Sequence, residues 1–151
     1  IEVANCISKM GKRVELILTG GDKIGKSSNG RLEIKNCGWV TQEEKCVLLA
    51  ESDFLLSPSK YEGSSMSVIE SMVSGLPCLV SETSEETVGF EDLIIRENNP
   101  EKWANNILTL SESTRYLQVV ESILEESKKY SPEANKTKMA QIYNNLCAKQ
   151  Q

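Results

Sequence analysis

The sequence predicts an α/β protein, a doubly wound parallel sheet flanked by helices. Three observations predict it. Short apolar runs bounded by glycine, proline and asparagine alternate with segments of helical spacing over residues 13–95. After Pro100 the pattern is helical only. With 39% hydrophobic and 26% charged residues, the 151 positions suffice for one domain with a core of its own. Strands that alternate with helices favour parallel pairing, because each crossover carries a helix back over the sheet in one hand.

The first strand is Arg13 to Thr19 (RVELILT), a continuous apolar run that stops at Gly20-Gly21. Leu32 to Cys37 is a second, weaker strand. Between them Asp22 to Gly30 reads as a polar loop where a crossover helix would be expected. Gln42 to Ala50 has helical spacing, with Val47, Leu48 and Leu49 apolar. Asp53 to Ser57 (DFLLS) is a third strand, ended by Pro58. Met66 to Ser74 is a helix closed by Gly75 at its C-terminal cap. Pro77 to Ser81 and Asp92 to Ile95 are the fourth and fifth strands. Helices then cover Pro100 to Leu110, opening with Pro-Glu, Glu112 to Tyr130, and Pro132 to Ala148. The expected organisation is a single domain over residues 1–151, with residues 100–151 a helical C-terminal segment.

The net charge of −5 excludes non-specific nucleic-acid binding, which needs a concentrated basic surface. The absence of an apolar run of about 18 residues excludes a membrane span. The five cysteines (Cys6, Cys37, Cys46, Cys78 and Cys147) are odd in number, widely spaced and without a CxxC pair. They read as buried, reduced thiols of a cytoplasmic protein, neither a disulfide framework nor a zinc site. There is no histidine, so no imidazole base is available within the chain.

Two motifs compete for the site. Gly20 to Ser27 (GGDKIGKS) fits the P-loop spacing GxxxxGK[ST] after a strand. A P-loop needs a helix that begins at the Lys-Ser, so that backbone N–H groups point at phosphates. Ser28-Asn29-Gly30 is poor material for such a helix. The second motif is Pro58 to Glu82 (PSKYEGSSMSVIESMVSGLPCLVSE). It carries two carboxylates, Glu62 in the loop after a strand and Glu70 on the following helix. Gly63-Ser64-Ser65 between them permits close backbone approach to a ligand and opens the helix. The first N–H groups of that helix form an anion site, and Glu70, one turn beyond Met66, lies on the same side. Carboxylates in these places can accept hydrogen bonds from sugar and ribose hydroxyls.

The second motif resembles the E-x7-E signature of the retaining GT-B glycosyltransferases of family four, also described as glycosyl transferases group 1. LILTGG, NCGWVTQEE, LLAESDFLLSPS and NPEKWANNILTL extend the resemblance over most of the chain. It implies a Rossmann-like domain, the C-terminal half of a GT-B fold. It implies transfer of a hexosyl group from a nucleoside diphosphate sugar to a hydroxyl acceptor with retention, in bacterial polysaccharide or glycoconjugate assembly. Glu62 would act catalytically at the donor sugar. Glu70 would bind the ribose, and Gly63, Ser64, Ser65 and Met66 would lie near sugar and diphosphate. Trp39 and Val40 would flank the nucleobase, and Gly20 and Gly21 would line the crevice. No metal or other cofactor is expected. Ser64 and Ser65 stand where many relatives carry an aromatic residue and a glycine, and Ser71 and Cys78 replace a common Ala and Val. The strand that brings an Arg and a Lys to the diphosphate is expected to precede Ile1. So is the N-terminal acceptor domain, which is the expected partner and the expected route of any peripheral membrane association. A nucleotide-sugar-binding module without catalysis, a P-loop NTPase and a sugar-nucleotide epimerase are the alternatives.

Overall fold

The computed structural model describes residues 1–21 and 25–148. Helix α1 (Glu2–Lys9) leads into β1 (Val14–Thr19), β2 (Gly25–Asn29) and β3 (Leu32–Gly38). Then come α2 (Gln42–Glu51), β4 (Leu55–Ser57), α3 (Met66–Val73) and β5 (Cys78–Ser81). The short helix α4 (Glu85–Val88) and β6 (Ile94–Ile95) follow, and α5 (Pro100–Leu110), α6 (Ser113–Ser127) and α7 (Pro132–Ala148) complete the order. The α/β class is as expected, with parallel strands and intervening helices. The paired strands form two three-stranded sheets, β1-β3-β2 and β4-β5-β6.

In the first sheet β1 and β3 run parallel, with Leu16 opposite Ile34 and an irregularity between Leu18 and Thr19. Strand β2 lies antiparallel to β3. This corrects the loop expected over Asp22 to Gly30, of which residues 22–24 fall outside the described residues. The segment GKSSN has weak strand propensity of its own, and pairing with β3 overrides it. Gly30 turns the hairpin with φ +62°, a value most side chains disfavour. Asn29-Gly30 between two strands is a strong hairpin signal, and it was the available clue. The strand also removes the P-loop reading, because Lys26 and Ser27 lie in an edge strand and open no helix.

The second sheet is parallel throughout. Its central strand β5 is buried along Cys78, Leu79 and Val80, which suits a continuous apolar run covered on both faces. Around it pack Val68 and Met72 of α3, Ile94 and Ile95 of β6, Trp103 and Ile107 of α5, and Val119 and Ile123 of α6. Two expected strands are shorter than read: Asp53 and Phe54 precede β4, and residues 91–93 form a 3₁₀ turn before β6.

Local chemistry sets the helix ends. Thr41 caps α2 in a reciprocal box: its hydroxyl accepts from the Glu44 N–H at 3.2 Å, and the Glu44 carboxylate accepts from the Thr41 N–H at 2.8 Å. Asn99 caps α5, with Pro100 at the first helical position. Helix α3 ends as expected at Gly75, whose φ is +74°. The Gly75 N–H bonds the Met72 carbonyl at 3.1 Å, and the Leu76 N–H bonds the Ser71 carbonyl at 2.9 Å. That is a Schellman closure, and the Ser71 hydroxyl reinforces it by donating to the Leu76 carbonyl at 2.7 Å. Helices α5 and α6 belong to the same core, to which α7 adds no residue among those described. Tyr116 of α6 donates to the Asp53 carbonyl at 3.1 Å and meets Phe54 edge to face at 5.6 Å.

Candidate functional site

Three loops leave the C-terminal ends of parallel strands, where α/β sheets bind ligands. After β1 come Gly20 and Gly21, and after β3 come Trp39 and Val40. The Gly20 N–H donates to the Gly38 carbonyl at 2.7 Å, so the first loop leaves β1 still tied to the last residue of β3. Gly20, Gly21 and Gly38 all have left-handed φ, from +67° to +86°. A Cβ added at Gly20, Gly21 or Gly63 would meet no atom within 4 Å, so each of these glycines borders open space. Trp39 stands out into solvent with 86% of its surface exposed, while Val40 is half-buried.

The third loop runs from Pro58 to Ser65. It is pinned beside β5 by the Thr83 hydroxyl, which donates to the Ser59 carbonyl at 2.9 Å, and by the Ser81 hydroxyl, which donates to the same carbonyl. Glu62 is exposed. With Lys60, Tyr61, Gly63 and Thr83 it lines a shallow cavity of about 450 Å³. Sequence reasoning named Glu62 and Gly63 there but not Lys60, Tyr61 or Thr83.

Ser64 is exposed and Ser65 is buried at the start of α3. Ser65 makes no side-chain cap, and its carbonyl accepts the Ile69 N–H at 3.1 Å. The leading N–H groups of α3, from Met66 onward, are those that an α-helix leaves without an internal acceptor. They carry the positive end of its dipole. Met66 is exposed beside them, whereas Val68 is fully buried and fixes the helix to the core.

Glu70 is half-buried on α3, and its Oε1 accepts from Lys45 Nζ of α2 at 2.6 Å. Sequence reasoning missed Lys45. A signal existed: Lys45, Leu48, Leu49 and Ser52 occupy the i, i+3, i+4, i+7 positions and are the half-buried stripe of α2 and its cap. Val47, read as part of the apolar set, is exposed.

The thiols differ from expectation. All five are unpaired, but only Cys78 is buried; Cys6 and Cys37 are half-buried, and Cys46 and Cys147 are exposed. Burial pushes the Cys78 thiol up to about 12. Away from the site, Arg96 pairs with Glu85 and Glu91 at 2.7 and 2.9 Å and holds the Glu85 carboxyl below its ordinary range. Among the described residues no helix is long and apolar enough to cross a membrane.

The family model described as "Glycosyl transferases group 1" matches residues 1–113, a span holding both sheets and every candidate residue above. No curated protein matches the chain.

Proposed function

The chain belongs to the glycosyl transferases of group 1, and from that premise we propose that it supplies the donor site for a nucleoside diphosphate sugar. One observation carries the reading: Glu62 and Glu70 flank an α3 N-terminus that lacks a side-chain cap, at the C-terminal end of a parallel strand. Helix N-termini stabilise phosphate through free N–H groups and the dipole. In glycosyl transfer the leaving diphosphate gains negative charge, so donors already aimed at that place lower the barrier without reorganising.

On this reading the diphosphate lies over the Gly63 to Met66 backbone. Glu62, exposed in its shallow cavity, faces the hexosyl group. Glu70 accepts from the ribose hydroxyls, and Gly20 and Gly21 leave room for the nucleotide. The Trp39-Val40 backbone flanks the base. Transfer proceeds with retention to a hydroxyl acceptor held by an N-terminal domain of the same protein, in polysaccharide or glycoconjugate assembly. The reaction uses no metal.

A calorimetric panel of nucleoside diphosphates and their sugars against the complete protein tests the reading. At least one should bind saturably, and Glu70→Ala should raise the KM of that donor about tenfold, the worth of hydrogen bonds to a charged acceptor. A panel without binding, or an unchanged KM in Glu70→Ala, refutes it.

A further inference from the structure

We infer that Lys45 is a positioning residue of the donor site: it grips Glu70 by Oε1 and thereby presents Oε2 to the ribose hydroxyls. The inference rests on the ribose role proposed for Glu70.

The two side chains come from different helices, 25 positions apart, and meet at 2.6 Å. They are 33% and 27% exposed, so a small molecule in solvent can reach the pair. A glutamate has three rotatable side-chain bonds, and holding it in one arrangement costs entropy that a ligand would otherwise have to supply. With Oε1 engaged by the ammonium, the rotation is stopped before the nucleotide arrives. The Oε2 atom takes no protein hydrogen bond among the described residues. A partly exposed ion pair adds little to fold stability, so stability alone is a weak reason for this one. Its placement links α2 to α3, the helices that follow two of the candidate loops. Lys45 lies one turn into α2, whose cap Thr41 directly follows Trp39-Val40, and Glu70 lies one turn into α3.

A second possibility is that Lys45 swings to the diphosphate and binds it directly. The two roles separate on the sugar. A positioning residue acts through the hydroxyls that Glu70 holds, so its loss matters only when those hydroxyls are present.

The test measures affinity of the complete protein for a nucleoside diphosphate and for its 2′,3′-dideoxy counterpart. Lys45→Met should weaken the ribonucleotide about three- to fivefold, the range of one partly exposed ion pair. It should leave the dideoxy compound unchanged, and Lys45→Met added to Glu70→Ala should cost nothing further. Thermal midpoints report whether each variant folds, and Lys45→Arg should restore most of the affinity if the grip is what matters. Equal weakening of both nucleotides overturns the inference in favour of a direct phosphate contact, and no weakening of either overturns it outright. A wild-type protein that binds both nucleotides equally removes the ribose role of Glu70, and the inference with it.

Discussion

In the sheet of β4, β5 and β6 the central strand is dry, with Cys78, Leu79 and Val80 fully buried. In the sheet of β1, β3 and β2, β1 has no buried residue and β3 has only Leu32 and Gly38. Helix α2, which follows the first sheet, buries none of its ten residues. Among the described residues, every member of the main core cluster except Ile7 lies at Val68 or beyond. The fold therefore has a stiff half and a thin half, and the candidate site lies across the boundary. Glu62, Glu70 and the start of α3 stand on the stiff half. Gly20, Gly21, Trp39, Val40 and Lys45 belong to the thin one. Burial supplies most folding free energy, so the stiff half can hold catalytic groups in place. Such a division leaves the thin half free to adjust to a ligand.

The sharpest way to break this comparison is to empty the same volume in each half. Leu79→Ala should cost about 2–5 kcal/mol, the price of a cavity in a closed core. Leu16→Ala, on half-buried β1, should cost about half as much or less, since the site is already partly wet. Urea unfolding of both variants decides it, and equal losses would erase the distinction between the halves.

Next in size is Glu62→Ala. The side chain is exposed, so the melting temperature should stay within the small range of surface substitutions. Turnover of the complete protein should fall about 100-fold, as expected for loss of a group acting at the reacting centre. Wild-type turnover would remove Glu62 from the mechanism.

A smaller effect concerns pH. The Cys78 thiol is raised to about 12 in the fold, while an exposed cysteine ionises near 8.5. Below that lower value both states hold the proton, and the contribution is fully present. As pH rises towards 12 the unfolded chain loses the proton first, so stability declines across this window. Cys78→Ala should flatten the decline in a series of unfolding curves from pH 8 to 11, and parallel curves would contradict the burial argument. The smallest effect is Lys26→Ala, in the polar edge strand, which should leave donor binding and turnover unchanged; a dead enzyme would revive the P-loop.

Much of the stiff half was legible because its signals are local. A continuous apolar run names β5, Gly75 marks the end of α3, and Pro100-Glu101 opens α5. The thin half was harder to read. Strand β2 is polar and exists by pairing with β3, so composition hides it and only Asn29-Gly30 betrays it. The division into two sheets depends on which strands hydrogen-bond, which periodicity does not record. In the candidate site, the placement of Glu62 before α3 and of Glu70 on it was readable from their spacing around a helix start. The stripe on α2 marks the face that Lys45 shares, but its pairing with Glu70 was not readable, because the two lie 25 positions apart on different helices. Uniform burial of the thiols was an average expectation for cysteine, and only the one on β5 meets it.

The bond from the Gly20 N–H to the Gly38 carbonyl supplies a built-in gauge of local opening. An amide engaged in such a bond exchanges its hydrogen with solvent only when the bond opens. The exchange rate at Gly20 therefore reports how far the end of β3 and the start of the first loop stay closed, without a substitution in either.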